Sequence, residues 1–208
     1  MIYKDSHVHI GSYETVSNIL SSSKYLEKYR LYSCIDKETI KIQNEYLRTI
    51  ADFFAIPIIF KEIDIQKENI ETTDFCNRFG KGIPVTLLDN NINFNENMPS
   101  LIMKEHFLLH NSSEYLKRSL YYEFLNNNDG FIILHCKDKV RLNYLKTLRD
   151  NFPQMNVIVA HLGRNVTENR NEILTFLEEF KHDEKIYFDI STINDIQTIL
   201  LSIKIVGS

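Results

Sequence analysis

The chain has 208 residues, 43% of them hydrophobic, which is enough to bury a substantial core in one large domain or two small ones. Its formal net charge of -4 disfavours nucleic acid as a partner, because neutralising phosphates usually takes a basic patch. The three cysteines, Cys34, Cys76 and Cys136, lack the paired spacing of a zinc site or a disulfide scaffold. No apolar run reaches the roughly 18 residues of a membrane span. We therefore expect a reduced, cytoplasmic protein with no nucleic-acid or membrane partner.

Apolar, β-rich runs alternate with amphipathic segments along the chain, which is the pattern of parallel βα units. Eight runs predict strands, at 2–10, 30–35, 54–60, 101–109, 131–136, 156–162, 186–191 and 204–207. Apolar residues three and four apart predict helices between them, at 37–53, 113–128, 139–152, 169–182 and 194–203. The stretch 65–100 fits this scheme least well: a helical segment and a further apolar run precede an Asn-rich loop.

Eight βα units predict a closed (β/α)8 barrel, although such barrels typically take about 250 residues. We expect the missing residues to be those at the end of the barrel, where KIVG (204–207) would be the eighth strand with no helix after it. An open doubly wound sheet is the alternative, but no Gly-rich phosphate loop follows the first strand. The prediction is an α/β fold with a single domain over 1–208, a short TIM-type barrel that ends at strand eight and lacks the final helix.

Histidines close several of the apolar runs. His7 and His9 alternate in the first strand, so we expect them on one side, about 6–7 Å apart along the backbone. His135 ends FIILH, and His161 ends NVIVAH. Because the carboxyl ends of parallel barrel strands share one face, four imidazoles should meet at one rim. A single histidine there is more often a satisfied core residue, but the four together predict a metal site.

Imidazole binds zinc well, and catalytic zinc keeps an open position for water, whose pKa it lowers to about 7. The strand LIMKEHFLL adds further polar groups: Lys104 and His106 share one face and Glu105 lies on the other. We expect Lys104 and His106 to line the site. His182, in KHDEK, is expected on the solvated surface.

DSHVHIG, FIILHC, VIVAHLGRN and IYFDIS, in this order and spacing, resemble the amidohydrolase superfamily. The similarity is to the metal-dependent branch that includes aminocarboxymuconate-semialdehyde decarboxylase and related hydrolases. It implies that His7, His9 and His135 bind a divalent metal ion, with zinc as the first choice and manganese as the second. It also implies that His161 orients or deprotonates the water on the metal and that Lys104 faces the substrate.

The resemblance implies a metal-dependent hydrolase acting on a small molecule through a metal-activated water, but it does not fix the substrate, because barrel loops vary freely. We expect a small molecule with a C–N, ester or carboxylate group, contacted by Lys104, His106 and Arg164. A homo-oligomer is also possible.

The same resemblance requires an aspartate directly after strand eight, in a segment like I-x-G-S-D followed by proline. KIVGS reaches Ser208 one position before it, so we expect little or no turnover, with Asp189 as a poor substitute. Two alternatives stay open. One is a TatD-like nuclease, in which Glu105 would be the acidic ligand on its strand. The other is a truncated or degenerate barrel that binds metal or a ligand without turnover.

Overall fold

The computed structural model describes residues 4–11, 44–50, 52–59, 63–88, 100–107, 109–110, 112–135, 141–163, 169–191 and 193–207. They belong to two compact units, one formed by residues 1–59 with 63–85 and the other by residues 60–62 with 86–208. One domain over 1–208 stays a prediction. Among the described residues, no helix combines the length and apolar character that crossing a bilayer requires.

The first unit contains a sheet of three parallel strands, in the order β1 (Lys4–Ile10), β2 (Asp52–Pro57) and β3 (Ile83–Pro84). The register between β1 and β2 shifts between Asp5 and Val8, which is where a bulge interrupts the alternation of side chains. His7 lies in this interrupted stretch, so strict alternation does not decide its direction.

Among the described residues of this unit, one helix has both of its ends described: α1 (Ile65–Phe79). It starts at Asp64, whose carboxylate accepts a hydrogen bond from the Lys67 backbone N–H, and it ends at Gly80 in the left-handed conformation. Residues 44–49 are also helical. The buried core of the unit consists of Val8, Ile10, Leu47, Ile50, Phe53, Ala55 and Cys76.

The second unit contains a sheet of five parallel strands whose spatial order is the chain order. The strands are β4 (Thr86–Leu87), β5 (Ile102–His106), β6 (Phe131–His135), β7 (Asn156–Val159) and β8 (Ile186–Phe188). Parallel neighbours require a crossover between them, and helical segments follow β5, β6, β7 and β8 along the chain. The prediction of parallel βα units is confirmed here.

The described α-helices of this unit contribute side chains to one core cluster, on one face of the sheet. They are α2 (Ser119–Asn127), α3 (Arg141–Asn151), α4 (Arg170–Phe180) and α5 (Ile196–Val206), with short 3-10 helices at Ser112–Arg118 and Ala160–Gly163.

Alternate strand residues, among them Met103, Ile132, Leu134, Val157 and Val159, join the helix residues in one core cluster. Because strand side chains alternate, the residues between them, including Lys104, Ile133 and Ile158, occupy the opposite face.

The α/β class and the parallel sheets are as predicted, but the described strands do not form a closed barrel. The described strands form a three-stranded and a five-stranded sheet, and no described strand pair joins them. The predicted strand 30–35 lies outside the described residues. The strands at 101–109, 156–162 and 186–191 are shorter than predicted.

The predicted eighth strand at 204–207 is wrong, because residues 204–206 are the last turn of α5. Asp195 caps this helix by accepting a hydrogen bond from the Gln197 N–H. The Thr198 hydroxyl and the Arg170 guanidinium lower the pKa of Asp195 to about 2, so the cap is charged. The described chain ends in α5, which follows β8 and packs against α4, so the predicted loss of a final helix is not confirmed.

Candidate functional site

Three imidazoles form a row at the carboxyl ends of β5, β6 and β7. The ring centroids of His106 and His135 are 4.3 Å apart, and those of His135 and His161 are 4.5 Å apart. His106 and His135 are register partners that each end a strand, so they project from the same face of the sheet. The structure thus brings together three of the residues that the sequence singled out.

His161 reaches this row through an unusual turn. If β7 continued, His161 would point toward the helices together with Val157 and Val159. The strand ends at Val159 instead, and the next turn places His161, Leu162 and Gly163 at φ values of 56°, 54° and 67°. The left-handed backbone at His161 is uncommon for a residue with a side chain, and it turns the ring toward His135.

Asp189, just after β8, holds this turn. Its Oδ1 accepts hydrogen bonds from the backbone N–H of His161 at 3.1 Å and of Ser191 at 2.9 Å, and from the Ser191 hydroxyl. Its backbone oxygen accepts the Leu162 N–H at 2.8 Å. The His161 ring completes the network, because its Nδ1 lies 2.7 Å from Ser191 Oγ and 3.0 Å from the Ser191 backbone oxygen.

Lys104 lies on the same strand face as His106, two residues earlier and deeper in the sheet, beside Leu87 and Ile133 in the register. Its side chain is fully buried. Burial lowers the pKa of Lys104 to about 7, and the Asp189 carboxylate opposes this by attraction. The lysine therefore supplies a cation beside the histidine row. Its burial makes the positive charge costly in free energy.

Glu105 points to the other face of β5 and meets three residues that the sequence did not single out. Its carboxylate accepts hydrogen bonds from Arg118 Nη2 at 3.0 Å, from Tyr144 OH at 2.8 and 2.7 Å, and from Tyr122 OH. Burial and the Glu105 charge raise the pKa of both tyrosines, so their hydroxyls stay protonated donors. Although burial alone would lower it, the pKa of Arg118 is raised by Glu105.

This placement matters for the nuclease alternative, which needed Glu105 as a metal ligand. The carboxylate is committed to Arg118 and the two tyrosines on the helix side of the sheet, whereas the histidine row projects from the other side. The parity of Glu105 within its strand could have indicated this network, but nothing in the sequence identifies Arg118, Tyr122 and Tyr144 as its partners.

His110 supports the end of β5. Its Nδ1 accepts a hydrogen bond from the His106 backbone N–H at 3.0 Å, and its Nε2 lies 2.8 Å from the Leu88 backbone oxygen. Burial is the main cause that lowers the pKa of His110, which favours the neutral ring that this acceptor role needs. His110 thus helps to hold His106 at the strand end.

The remaining predicted site residues belong to the first unit or lie outside the described residues. His9 is an exposed residue of β1 in the first unit, with its Nδ1 3.1 Å from the Pro57 backbone oxygen. A carbonyl oxygen only accepts, so Nδ1 carries the proton and Nε2 carries the lone pair. The side chain of His7 and the whole of Arg164 lie outside the described residues.

The described donors do not complete a metal site by themselves. Within the described part of the chain, no group of three or more His, Cys, Asp or Glu side chains is arranged to hold an ion. The chemistry of the donors nonetheless suits a divalent ion, because a ligating histidine commonly donates its other ring N–H to a carbonyl, as His9 does.

The sequence matches no protein-family model and no curated protein. Solved structures do match. An amidohydrolase from Burkholderia multivorans with bound HEPES has a TM-score of 0.69 at 9% identity, covering 100% of this chain and 81% of its own. Amidohydrolase 2 from Bifidobacterium longum subsp. infantis has a TM-score of 0.64 at 15% identity, covering 97% of this chain and 78% of its own.

A third similar structure is 2,6-dihydroxybenzoate decarboxylase in complex with 2,6-dihydroxybenzoate. Its TM-score is 0.59 at 14% identity, covering 100% of this chain and 86% of its own. These structural neighbours are members of the amidohydrolase superfamily, the family that the sequence motifs resemble. At such identities the likeness establishes the fold.

Proposed function

We propose that this chain is a metal-dependent hydrolase of the amidohydrolase superfamily that acts on a small molecule through a metal-activated water. The observation that carries the proposal is the row of His106, His135 and His161 at the carboxyl ends of three parallel strands. Enzymes built from parallel βα units place their active sites at these ends. The fold that the chain shares with amidohydrolases supports the same conclusion.

We propose His7, His9 and His135 as ligands of a divalent ion, with zinc as the first choice and manganese as the second. Neutral imidazole is a suitable ligand for either ion, and the proton on His9 Nδ1 leaves Nε2 as the ligating nitrogen. A bound divalent ion would act as a Lewis acid and make water acidic enough to deprotonate near neutral pH.

His161 is the proposed general base. Its Nδ1 faces the oxygens of Ser191, so its Nε2 is the nitrogen that accepts a proton from the attacking water. His106 stands next to His135 in the row and is the proposed contact for the substrate beside the reacting group. Arg164 remains a proposed contact on the strength of the sequence alone.

Lys104 favours a substrate that carries a carboxylate. A buried ammonium group is costly unless anions neutralise it, and the Asp189 carboxylate is one anion that attracts it. A carboxylate on the substrate would add a further anion at the same place. The similar decarboxylase was solved with 2,6-dihydroxybenzoate, which carries such a group. The proposed partner is therefore a small ester or amide that also carries a carboxylate group. A homo-oligomer stays a prediction.

The experiment is a hydrolysis assay of the purified chain with zinc or manganese, on matched esters and amides with and without a carboxylate. Residues 204–206 are helical and do not form the strand after which the resemblance requires an aspartate, so the expectation of little or no turnover loses its basis and we expect turnover. It should prefer the carboxylate compounds and fall roughly 100-fold or more in His161→Gln, the usual loss for a missing general base. His182→Gln is the matched control, because His182 is exposed on the surface. Metal binding without turnover on any compound would contradict a hydrolase and favour the barrel that binds without turnover.

A further inference from the structure

We propose that Ser191 and Asp189 are positioning residues that hold His161 in one tautomer, with the proton on Nδ1, and in one orientation. The inference rests on the proposed role of His161 and extends it to two residues that contact neither metal nor substrate in that proposal. It is carried by the chain of contacts from the His161 ring through Ser191 to Asp189.

The protons in this chain of contacts can be assigned one by one. The Ser191 hydroxyl has a single hydrogen, which it donates to Asp189 Oδ1. Ser191 Oγ therefore acts as an acceptor toward His161 Nδ1, 2.7 Å away. The Ser191 backbone oxygen, 3.0 Å from the same nitrogen, can also only accept. Both contacts require a proton on Nδ1, so a neutral His161 ring has its lone pair on Nε2.

The ionised state of Asp189 gives this chain its direction. The carboxylate is buried, and the same Oδ1 also accepts the backbone N–H groups of His161 and Ser191. Three donors to one oxygen favour the charged form of a carboxylate, and the Lys104 ammonium group attracts it as well. A charged Asp189 has no proton to give, so Ser191 must be the donor in that contact.

Orientation follows from the same atoms. Asp189 holds the backbone of His161 directly and its ring through Ser191, so one carboxylate fixes both ends of the residue. His161 and Leu162 have little intrinsic preference for the left-handed backbone conformation, and these hydrogen bonds stabilise it. No proton passes along the contacts: when Nε2 accepts a proton, the one on Nδ1 stays there, Ser191 keeps its hydroxyl proton and Asp189 stays a charged carboxylate.

The test is ¹⁵N NMR of the histidine-labelled full chain, with a chelator present and above the histidine titration range, where each ring nitrogen reports whether it carries a proton. The His161 signal is the one missing from His161→Gln. We expect protonated Nδ1 in the wild type and in Ser191→Thr, which keeps the hydroxyl. In Ser191→Ala we expect a mixture with the Nε2-protonated form. Ser202→Ala, which removes another buried hydroxyl, is the control and should leave the His161 signal unchanged.

Hydrolysis gives the second measurement. We expect Ser191→Ala to lower kcat roughly 10- to 100-fold with KM little changed, and Ser191→Thr to restore it. A His161 tautomer that is identical in the wild type and a folded Ser191→Ala would overturn the inference. Because the NMR measurement needs no turnover, a tautomer shift in a chain without hydrolysis would uphold the positioning role while the proposed function failed.

Discussion

Lys104 carries a charge that the fold opposes. In the unfolded chain its pKa is the ordinary 10.5, whereas burial lowers it to about 7 in the folded protein. Between these two pH values the unfolded state binds a proton that the folded state has released, so stability rises with pH across this window. Below about pH 7 both states are protonated and the whole cost of burying the ammonium group remains.

Replacing this lysine with an apolar residue of similar length should therefore stabilise the protein most at neutral and lower pH. We expect Lys104→Met to raise the free energy of unfolding at about pH 7 by an amount on the order of a few kcal/mol, and the gain to shrink toward about pH 10. Urea unfolding of both proteins at several pH values measures it. Lys146→Met, at an exposed lysine, is the control, and a gain for Lys104→Met that does not vary with pH would contradict the assigned cause.

Single residues also show where sequence reasoning succeeds and where it stops. His135 and His161 could be placed at strand ends because each closes an apolar run. The direction of His161 could not be predicted, because alternation points it to the helices and only tertiary contacts with Asp189 and Ser191 turn it round. The local sequence does not indicate that His161 adopts the left-handed backbone conformation. Glycine or asparagine would adopt this conformation more readily than histidine.

The two faces of strand β5 lie in different environments. One face presents Lys104 and His106 toward the histidine row, and the other presents Glu105 to the 3-10 helix and to α2 and α3. The Glu105–Arg118 pair is buried on both sides, so each charge depends on the other and on the surrounding hydroxyls. The element is thus anchored to the helices through a polar network as well as through its apolar neighbours.

Removing one charge from this pair should be costly. We expect Glu105→Gln to lower the free energy of unfolding by about 3 kcal/mol, because Arg118 would keep its charge in the interior without a counterion. Glu114→Gln makes the same chemical change in an exposed pair with Lys117 and should leave the unfolding midpoint unchanged. Urea denaturation followed by circular dichroism compares the two, and equal effects would show that burial is not what gives the inner pair its value.

The last helix shows why one element was misassigned. KIVG has β-branched residues before a glycine, which is typical of a strand that ends in a turn. The structure continues α5 through these residues because the helix is already capped at Asp195, and its Thr198 and Ser202 are buried. Intrinsic preference over a few residues is weak, so an established helix overrides it.

The proposed metal site takes its ligands from distant positions of the sequence, His7, His9 and His135. We expect the wild type to retain about one zinc ion per chain after dialysis and to gain thermal stability when zinc is added, since an ion that binds only the folded state stabilises it. Elemental analysis and thermal unfolding measure the two effects. The double variant His7→Ala/His9→Ala should lose both, and His182→Ala should keep both. Equal zinc retention in all three proteins would exclude the proposed ligands.

The whole fold was predictable in class and only partly in arrangement. Alternating runs of apolar and amphipathic residues identify parallel βα units, and the five-stranded sheet follows the chain order as such units should. Barrel closure could not be inferred from a count of eight runs, because one of them, at 204–207, belongs to a helix. Four short motifs resemble the superfamily to which the structural neighbours belong.

The order of strands also bears on how the chain folds. In the sheet that runs from β4 to β8, each described strand after β4 lies beside the strand made just before it, so each can add to an existing edge as soon as it leaves the ribosome. Among the described strands, β1 pairs with β2, where the Nδ1 of His9 lies 3.1 Å from the backbone oxygen of Pro57, 48 residues later. Closing that long loop costs conformational entropy before the contacts between the two strands can stabilise it. The strand with the first two histidines is therefore made first among the described strands and must wait for its partner.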